Sequence, residues 1–419
     1  MLAQSWSYVG GSCPNSEGSA KIKIKANGNI VSASMTTNTI GVKEWNGSNW
    51  LPLPSPPSNG FIGEFHLEMH LDTVYLGIGA NGFRVFKWTG SAWTQIGPAL
   101  TGTFSAGNHD FLLDNNGVPV IGTIMDRKIQ RMVGGAWQLA ITLPLGGFPN
   151  TYAYNFGQDN SLIFNNQNEL IYVTVFKNRQ MVRKLTTTFE DQLVGDTAIF
   201  LSPFSQYSPI VKKNANGEIF VFFTAFGKRA FVKKWSGGNW QLYGDSSTFG
   251  ISPGNMLFEI AGNGTLFFTQ GGNVDKKVWA CTGPSASFQQ LDLISHSGNF
   301  TQVTDLDINP VDGKVHVAFN CLPTHSVMKY DLALTSNANL VSNFESIRLF
   351  PNPGKDQIFL EGKNLENTLY QIFSADGKLV KTAAVLEKSI PVTHLKPGLY
   401  RIRFFDRFGN GLQRLLMKE

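Results

Sequence analysis

The sequence predicts an all-β protein: a seven-bladed β-propeller over residues 1–335, a linker at 336–346 and a small Ig-like β-sandwich at 347–419. Three observations carry this expectation. A Trp-containing turn recurs along the first 335 residues, an Asn-Gly or Asp-Gly hairpin interleaves with it, and the last seventy-odd residues drop the Trp turn. Gly (43 residues) and Phe (32) are abundant while charged residues make up only 16%, which suits strands joined by tight turns better than helices.

The Trp turn appears at residues 43–53, 87–97, 132–139 and 234–244, with weaker copies at 184–193 and 279–291, where Phe189 and Phe288 stand for Trp. The hairpin turns at Asn27-Gly28, Asn116-Gly117, Asn216-Gly217, Asn263-Gly264 and Asp312-Gly313, and less clearly at Leu71-Asp72 and 166–168. Flanks alternate apolar and polar residues (21–25) or run apolar (218–223), as strands do. Each period of about 43 to 52 residues then holds four antiparallel strands, the plan of a propeller blade. Seven hairpins but six internal Trp turns leave one outer strand missing. Residues 6–10 match 93–97 and 240–244, so residues 5–9 are expected beside 327–331, tying the N-terminal strand into the last blade and removing a sheet edge.

The tail obeys different rules. Pro351 and Pro353 fix φ and remove two backbone donors, so the segment that opens it is extended. Asp376-Gly377 sits between two apolar runs as a hairpin turn, and Pro397-Gly398 turns into a strand at 399–405. Residues 347–419 hold 12 of the 35 Lys and Arg and 7 of the 30 Asp and Glu, leaving 23 of each sign elsewhere. The positive balance therefore belongs to the tail and is no argument for nucleic acid, for which no reader motif exists.

Pro351-Asn352-Pro353, Asp376-Gly377, Pro397-Gly398-Leu399-Tyr400 and the terminal Leu415-Leu416-Met417-Lys418-Glu419 follow one another in a set order. That series resembles the type A C-terminal sorting domain of the type IX secretion system of Bacteroidetes. The resemblance implies recognition by the type IX translocon and export to the medium or the outer-membrane surface. It also implies removal of the domain with attachment of the cargo to surface lipopolysaccharide. Such cargo should be made with a Sec signal; residues 1–5 have neither a basic nor an apolar leader region, so the chain is read as lacking it, with Leu2-Ala3-Gln4 near the cleavage point. No run of eighteen apolar residues exists to span a membrane.

For the cargo, the loops joining second to third strands and fourth to first strands should share one face, and varied loops on a rigid scaffold are where binding sits. Four successive loops carry cation pairs: Arg127 and Lys128, Lys177 and Arg179, Lys228 and Arg229, Lys276 and Lys277. Such an arc would attract an acidic glycan or another anionic polymer; ordinary solvated charge is the competing reading. Phe61, Phe104, Phe148, Phe204, Phe249 and Phe300 recur once per blade and are expected to pack between blades. Tyr152, Tyr154 and Phe156, in the longest loop, could stack on sugar rings. The repeated Trp residues are read as core.

Enzymatic signals are weak. His66-Leu67-Glu68-Met69-His70 lacks the Glu after the first His that a zincin needs and reads as strand, so no metal or cofactor is expected. His109-Asp110 reads as structural, and Asp110, Asp126 and Glu259 are too scattered to name a catalytic pair. No catalytic residue is assigned. Cys13 and Cys321 share a face in this plan, where a disulfide could pin the closing strand. The leading expectation is a non-catalytic surface binding or adhesion module for glycan. A polysaccharide hydrolase or lyase at the propeller mouth and a structural or protein-binding surface protein are the alternatives.

Overall fold

The computed structural model describes residues 5–11, 20–35, 38–58, 60–101, 109–123, 128–142, 162–176, 179–188, 190–195, 200–201, 210–214, 216–225, 229–244, 256–270, 277–284, 286–291, 300–321, 324–331, 348–361, 369–374, 379–385, 388–405 and 411–419. The chain divides into two compact units, Met1–Ala333 and Leu334–Glu419. Among the described residues every regular element is a β-strand.

The first unit opens with β1 (Ser5–Tyr8). Sheet 1 is β2 (Ala20–Ile24), β3 (Ile30–Met35), β4 (Ile40–Trp45) and β5 (Trp50–Leu53). Sheet 2 is β6 (Glu64–His70), β7 (Thr73–Ala80), β8 (Gly82–Trp88) and β9 (Trp93–Leu100). Sheet 3 is β10 (His109–Leu113), β11 (Pro119–Thr123), β12 (Lys128–Val133) and β13 (Ala136–Thr142). Sheet 4 is β14 (Leu162–Phe164), β15 (Leu170–Phe176), β16 (Arg179–Leu185) and β17 (Asp191–Leu193), with β18 (Phe200–Leu201) also on β16. Sheet 5 is β19 (Ile210–Lys213), β20 (Ile219–Ala225), β21 (Arg229–Trp235) and β22 (Trp240–Leu242). Sheet 6 is β23 (Met256–Ile260), β24 (Leu266–Gln270), β25 (Val278–Cys281) and β26 (Gln289–Gln290). Sheet 7 is β27 (Phe300–Ile308), β28 (Val315–Cys321) and β29 (Thr324–Asp331), and its fourth strand is β1, in the register Ser5↔Asp331 to Tyr8↔Met328.

Each sheet's first strand lies beside the first strand of the next, and β27 lies beside β2. One apolar cluster fills each space between consecutive sheets, and Val9, Ala318 and Val327 pack on Ala20, Ile22 and Ile30 to fill the space between sheets 7 and 1. Sheets covered on both faces explain the apolar runs of the second strands. In β20, Ile219, Val221 and Phe223 face sheet 4 while Phe220 and Phe222 face sheet 6.

The hairpins close by a shared device. Gly28, Gly117, Gly217 and Gly264 have φ between 75° and 88°, and each donates its N–H to the carbonyl three residues back. Glycine thus takes the left-handed position of a longer loop with a bulge. Asn168 holds that position in sheet 4 at φ 61°, which asparagine tolerates. Leu71 and Asp72 are both left-handed, as in a two-residue turn.

The Trp turns fasten neighbouring sheets. Trp45 and Trp50 rings lie 5.6 Å apart, Trp88 and Trp93 5.2 Å, and Trp235 and Trp240 5.2 Å. The fourth-strand indole donates to a carbonyl of the preceding sheet: Trp93 Nε1 to Pro54 O (2.6 Å), Trp137 to Pro98 O (3.1 Å) and Trp240 to Val194 O (2.9 Å). Trp50 Nε1 donates to Val9 O (3.0 Å), just past β1. Gly10 and Gly195, both at positive φ, lie so close under Trp45 and Trp235 that a Cβ would come within 2.4 Å of the ring. Phe61 departs from the expected inter-sheet packing: its side chain is 69% exposed, and Ile62, one residue on, takes the buried place. Phe104, Phe148, Phe204 and Phe249 lie outside the described residues, as do Cys13 and the expected linker 336–346.

The second unit has two sheets. One is β30 (Arg348–Phe350), β31 (Gln357–Glu361) and β34 (Ser389–Pro391). The other takes β32 (Leu369–Ser374), β33 (Leu379–Ala384), β35 (Gly398–Phe405) and β36 (Gly411–Lys418) in the order β33-β32-β35-β36. Ile358, Leu360, Tyr370, Ile372, Ile402, Phe404 and Leu416 fill the core between them.

Candidate functional site

Two features of the first unit can meet a ligand: the openings of the third strands and the hub where the first strands meet. Lys128, Arg179 and Arg229 are the opening residues of β12, β16 and β21, and Lys277 directly precedes β25. The third strand thus opens on, or directly after, a cation in four consecutive sheets. Lys128 and Lys277 are half-buried. Arg127, Lys177, Lys228, Lys276, Tyr152 and Tyr154, and with them Phe156 and Asp126, lie outside the described residues.

The hub is charged, and its charges stitch sheet to sheet. Lys23 Nζ lies 3.5 Å from Glu68 Oε1, joining sheets 1 and 2, and Glu64 pairs with His109 between sheets 2 and 3. Asp110 Oδ2 accepts from Leu162 N (3.0 Å) between sheets 3 and 4, and Lys212 pairs with Glu259 between sheets 5 and 6. Between sheets 7 and 1, Asp305 Oδ2 accepts from Ile22 N and Asp307 Oδ2 from Ile24 N, both at 2.8 Å. The free N–H edge of β2 is thereby covered. His109 and Asp110 are both buried, in the structural role expected of them.

These contacts set the electrostatics. Burial works against the Lys23 ammonium, but Glu68, Asp307, Asp305 and Glu259 together outweigh it and hold the group firmly protonated. Burial pulls Lys21 below its ordinary value, with Asp305 opposing. Burial also holds His66 well below the imidazole range, reinforced by Lys21 and His109, so it is neutral. Burial raises Asp307 against the pull of Lys23, with Glu259 adding to the rise.

The hub encloses a cavity of about 420 Å³ bounded by β2, β6, β10, β14 and β19. Lys23, Glu68, His70, Asp110, Lys212 and Lys213 are among its polar lining, which also includes Asp114 and Asn115, and Met69 is among the apolar lining. Sequence reasoning missed this hub, although a first strand alternating Lys21, Lys23 and Lys25 with buried isoleucines could have flagged it. Glu259 and Asp110, considered there as separate acids, belong to the same ring of contacts. Among the described residues no group of three metal-ligating side chains converges.

In the second unit, Pro351, Asn352 and Pro353 are exposed, and both X-Pro bonds are cis. Asn352 acts as a substitute peptide group for the edge of β36: its Nδ2 donates to Leu415 O (2.9 Å) and its Oδ1 accepts from Met417 N (2.8 Å). Gly354 continues the pairing, donating to Met417 O and accepting from Glu419 N. Tyr400 Oη donates to Lys396 O (2.9 Å), bracing the turn at Pro397-Gly398. Asp376 and Gly377 lie outside the described residues. Residues 348–418 match the family described as the secretion system C-terminal sorting domain. The second unit is a type IX sorting domain. With that sorting domain, the protein is cargo of the type IX system, secreted or held at the cell surface. No described helix is long and apolar enough to cross a membrane.

The chain is also similar to solved structures. PorZ, an essential bacterial surface component of the type-IX secretion system of Porphyromonas gingivalis, matches 95% of this chain over 68% of its own at 11% identity and a TM-score of 0.42. Two crystal structures of the extracellular domain of BT4673 from B. thetaiotaomicron match 97% and 100% of the chain at 13% and 12% identity, with TM-scores of 0.48 and 0.50. The chain spans 57% and 59% of those two domains. At such identities the likeness concerns β-rich fold alone. No curated protein matches the chain.

Proposed function

We propose that the first unit is a seven-bladed β-propeller, closed by β1, that acts at the cell surface or in the medium as a non-catalytic binding module for an acidic glycan. One observation carries this reading: a cation opens the third strand in sheets 3, 4, 5 and 6, through Lys128, Arg179 and Arg229, or immediately precedes it, through Lys277. In a closed propeller these positions share a rim. An arc of cations raises the local concentration of a polyanion and slows its escape. The hub supports binding over cleavage, because Glu68, Asp110, Glu259, Asp305 and Asp307 each already accept from a lysine or a backbone N–H. Hydrolysis of a glycosidic bond needs a carboxyl pair free to face substrate.

The test is a glycan array with the full chain, acidic polysaccharides included. Binding to the acidic members should fall several-fold as salt rises from about 0.05 to 0.5 M, since salt screens the attraction between a polyanion and an arc of cations. Lys128→Ala/Arg179→Ala/Arg229→Ala/Lys277→Ala should bind at least about tenfold more weakly with an unchanged melting temperature. Binding indifferent to the four substitutions would overturn the rim, and shortened polysaccharide after incubation would replace binding with catalysis.

A further inference from the structure

The hub cavity holds two polar side chains that the inter-sheet stitching does not use. Lys213, the last residue of β19, and His70, the last residue of β6, both line it. Among the described residues neither has a hydrogen-bond or ion-pair partner. The remaining ionisable lining groups are committed. Lys23 meets Glu68, Lys212 meets Glu259, Asp110 accepts from Leu162 N, and Asp114 accepts from Arg131, Asn116 N and Val118 N. Asn115 Nδ2 donates to Asn165 O (2.7 Å). Lys213 is half-buried, and burial alone pulls its ammonium below the ordinary lysine value.

We propose that this cavity is a binding site, separate from the rim, for a small monocarboxylate with a ring-sized body, such as a single uronic acid. Lys213 supplies the counter-charge and His70 a hydrogen bond to a hydroxyl. One uncompensated ammonium balances one carboxylate. A dianion such as phosphate would leave a surplus negative charge among Glu68, Asp110 and Asp114, and a cation would leave Lys213 unopposed while competing with the contacts those carboxylates already make. A volume of about 420 Å³ falls within the range of small-molecule sites, about 300–1,000 Å³. Met69, half-buried, gives the site an apolar surface. His70 sits against Gly117, where a Cβ would come within 2.8 Å of the imidazole, so the glycine makes room for the ring at the cavity wall.

Isothermal titration of the full chain with glucuronate, and separately with glucose, tests this site. Glucuronate should bind and glucose should not. Lys213→Met should weaken glucuronate at least about tenfold, the scale of one charged hydrogen bond, and His70→Ala about fivefold. Lys213→Arg should keep most of the binding, and Lys355→Met, which removes one charge from the sorting domain, should change nothing. A melting temperature equal to the parent's shows that each variant is folded. No heat with glucuronate at about 10 mM, weak even for a single charge-led contact, would overturn the site, as would equal affinity for glucose or for Lys213→Met. The array can fail while this titration succeeds, and the reverse, so the two sites stand or fall separately.

Discussion

The joint between sheets 4 and 5 and the joint between sheets 7 and 1 are one interface built two ways. In the first, Trp240 donates to Val194 O and Gly195 lies under Trp235; in the second, Trp50 donates to Val9 O and Gly10 lies under Trp45. The chemistry is the same, but the tether is not. Val194 follows β17, which a short turn ties to β16, whereas Val9 follows β1, which reaches sheet 7 only by pairing with β29. Closing the longer loop costs about 3 to 4 kcal/mol more by loop-length scaling. A repeated interface therefore does not mean repeated stability: the joint between the chain's two ends is the one to fail first.

That comparison can be broken most directly at the glycines. Gly10→Ala and Gly195→Ala each force a Cβ into an indole at positive φ. Each should cost about 2–5 kcal/mol from left-handed strain plus overpacking. Chemical denaturation that shows a loss for Gly195→Ala and none for Gly10→Ala would mean that the second joint does not form in solution.

Acid sharpens the comparison. His316 on β28 of sheet 7 is buried, and burial holds its pKa down at about 4. Its folded pKa lies below the unfolded 6.5, so the unfolded chain takes the proton first. Its contribution is complete above pH 6.5 and is lost as pH falls from 6.5 towards 4, on the order of 3 kcal/mol in all. No titratable side chain takes part in the clamp of Val194, Gly195, Trp235 and Trp240. Hydrogen exchange at pH 5 should therefore loosen β28 before β20, and His316→Gln should flatten the difference; equal loosening in the parent would contradict it.

The smallest expected effect lies in the second unit and serves as a reference. Asn352→Ala removes two exposed hydrogen bonds from the edge of β36 and should cost about 1–2 kcal/mol. The loss should appear as faster exchange at Met417 N–H while the first unit's melting stays unchanged. A shift in the first unit's transition would show that the two units are coupled.

How much of this was legible follows from what kind of contact each feature is. Turns are local, so Asn-Gly and Trp-Gly marked the hairpins, and only the loop length escaped, because glycine at the left-handed place serves both turn types. The sorting domain was legible because its motifs follow a set order along the chain, although Asn352 bonds to Leu415 and Met417, 63 and 65 residues on, and only Tyr400 works locally. Phe61 misled because a once-per-blade aromatic and its neighbour Ile62 both fit an inter-sheet slot, and side-chain direction there is set by tertiary packing. The hub was illegible for a different reason. Lys23 and Glu68, Lys212 and Glu259, and Ile22 and Asp305 lie 45 or more residues apart, and only the meeting of first strands makes them partners.

The closed propeller proposed for the first unit depends on the chain's ends meeting in one ring. The direct measurement is a cysteine pair at Ser7 and Lys329, which face each other across β1 and β29, in a chain with Cys13→Ser and Cys321→Ser. A control pair at Lys184 and Gln192, across β16 and β17, tests the joint with the short tether. Mild oxidation followed by non-reducing mass analysis should give an intramolecular disulfide in the monomer for both pairs. A cross-link at 184–192 with none at 7–329, or one at 7–329 formed only between chains, would contradict the closed ring.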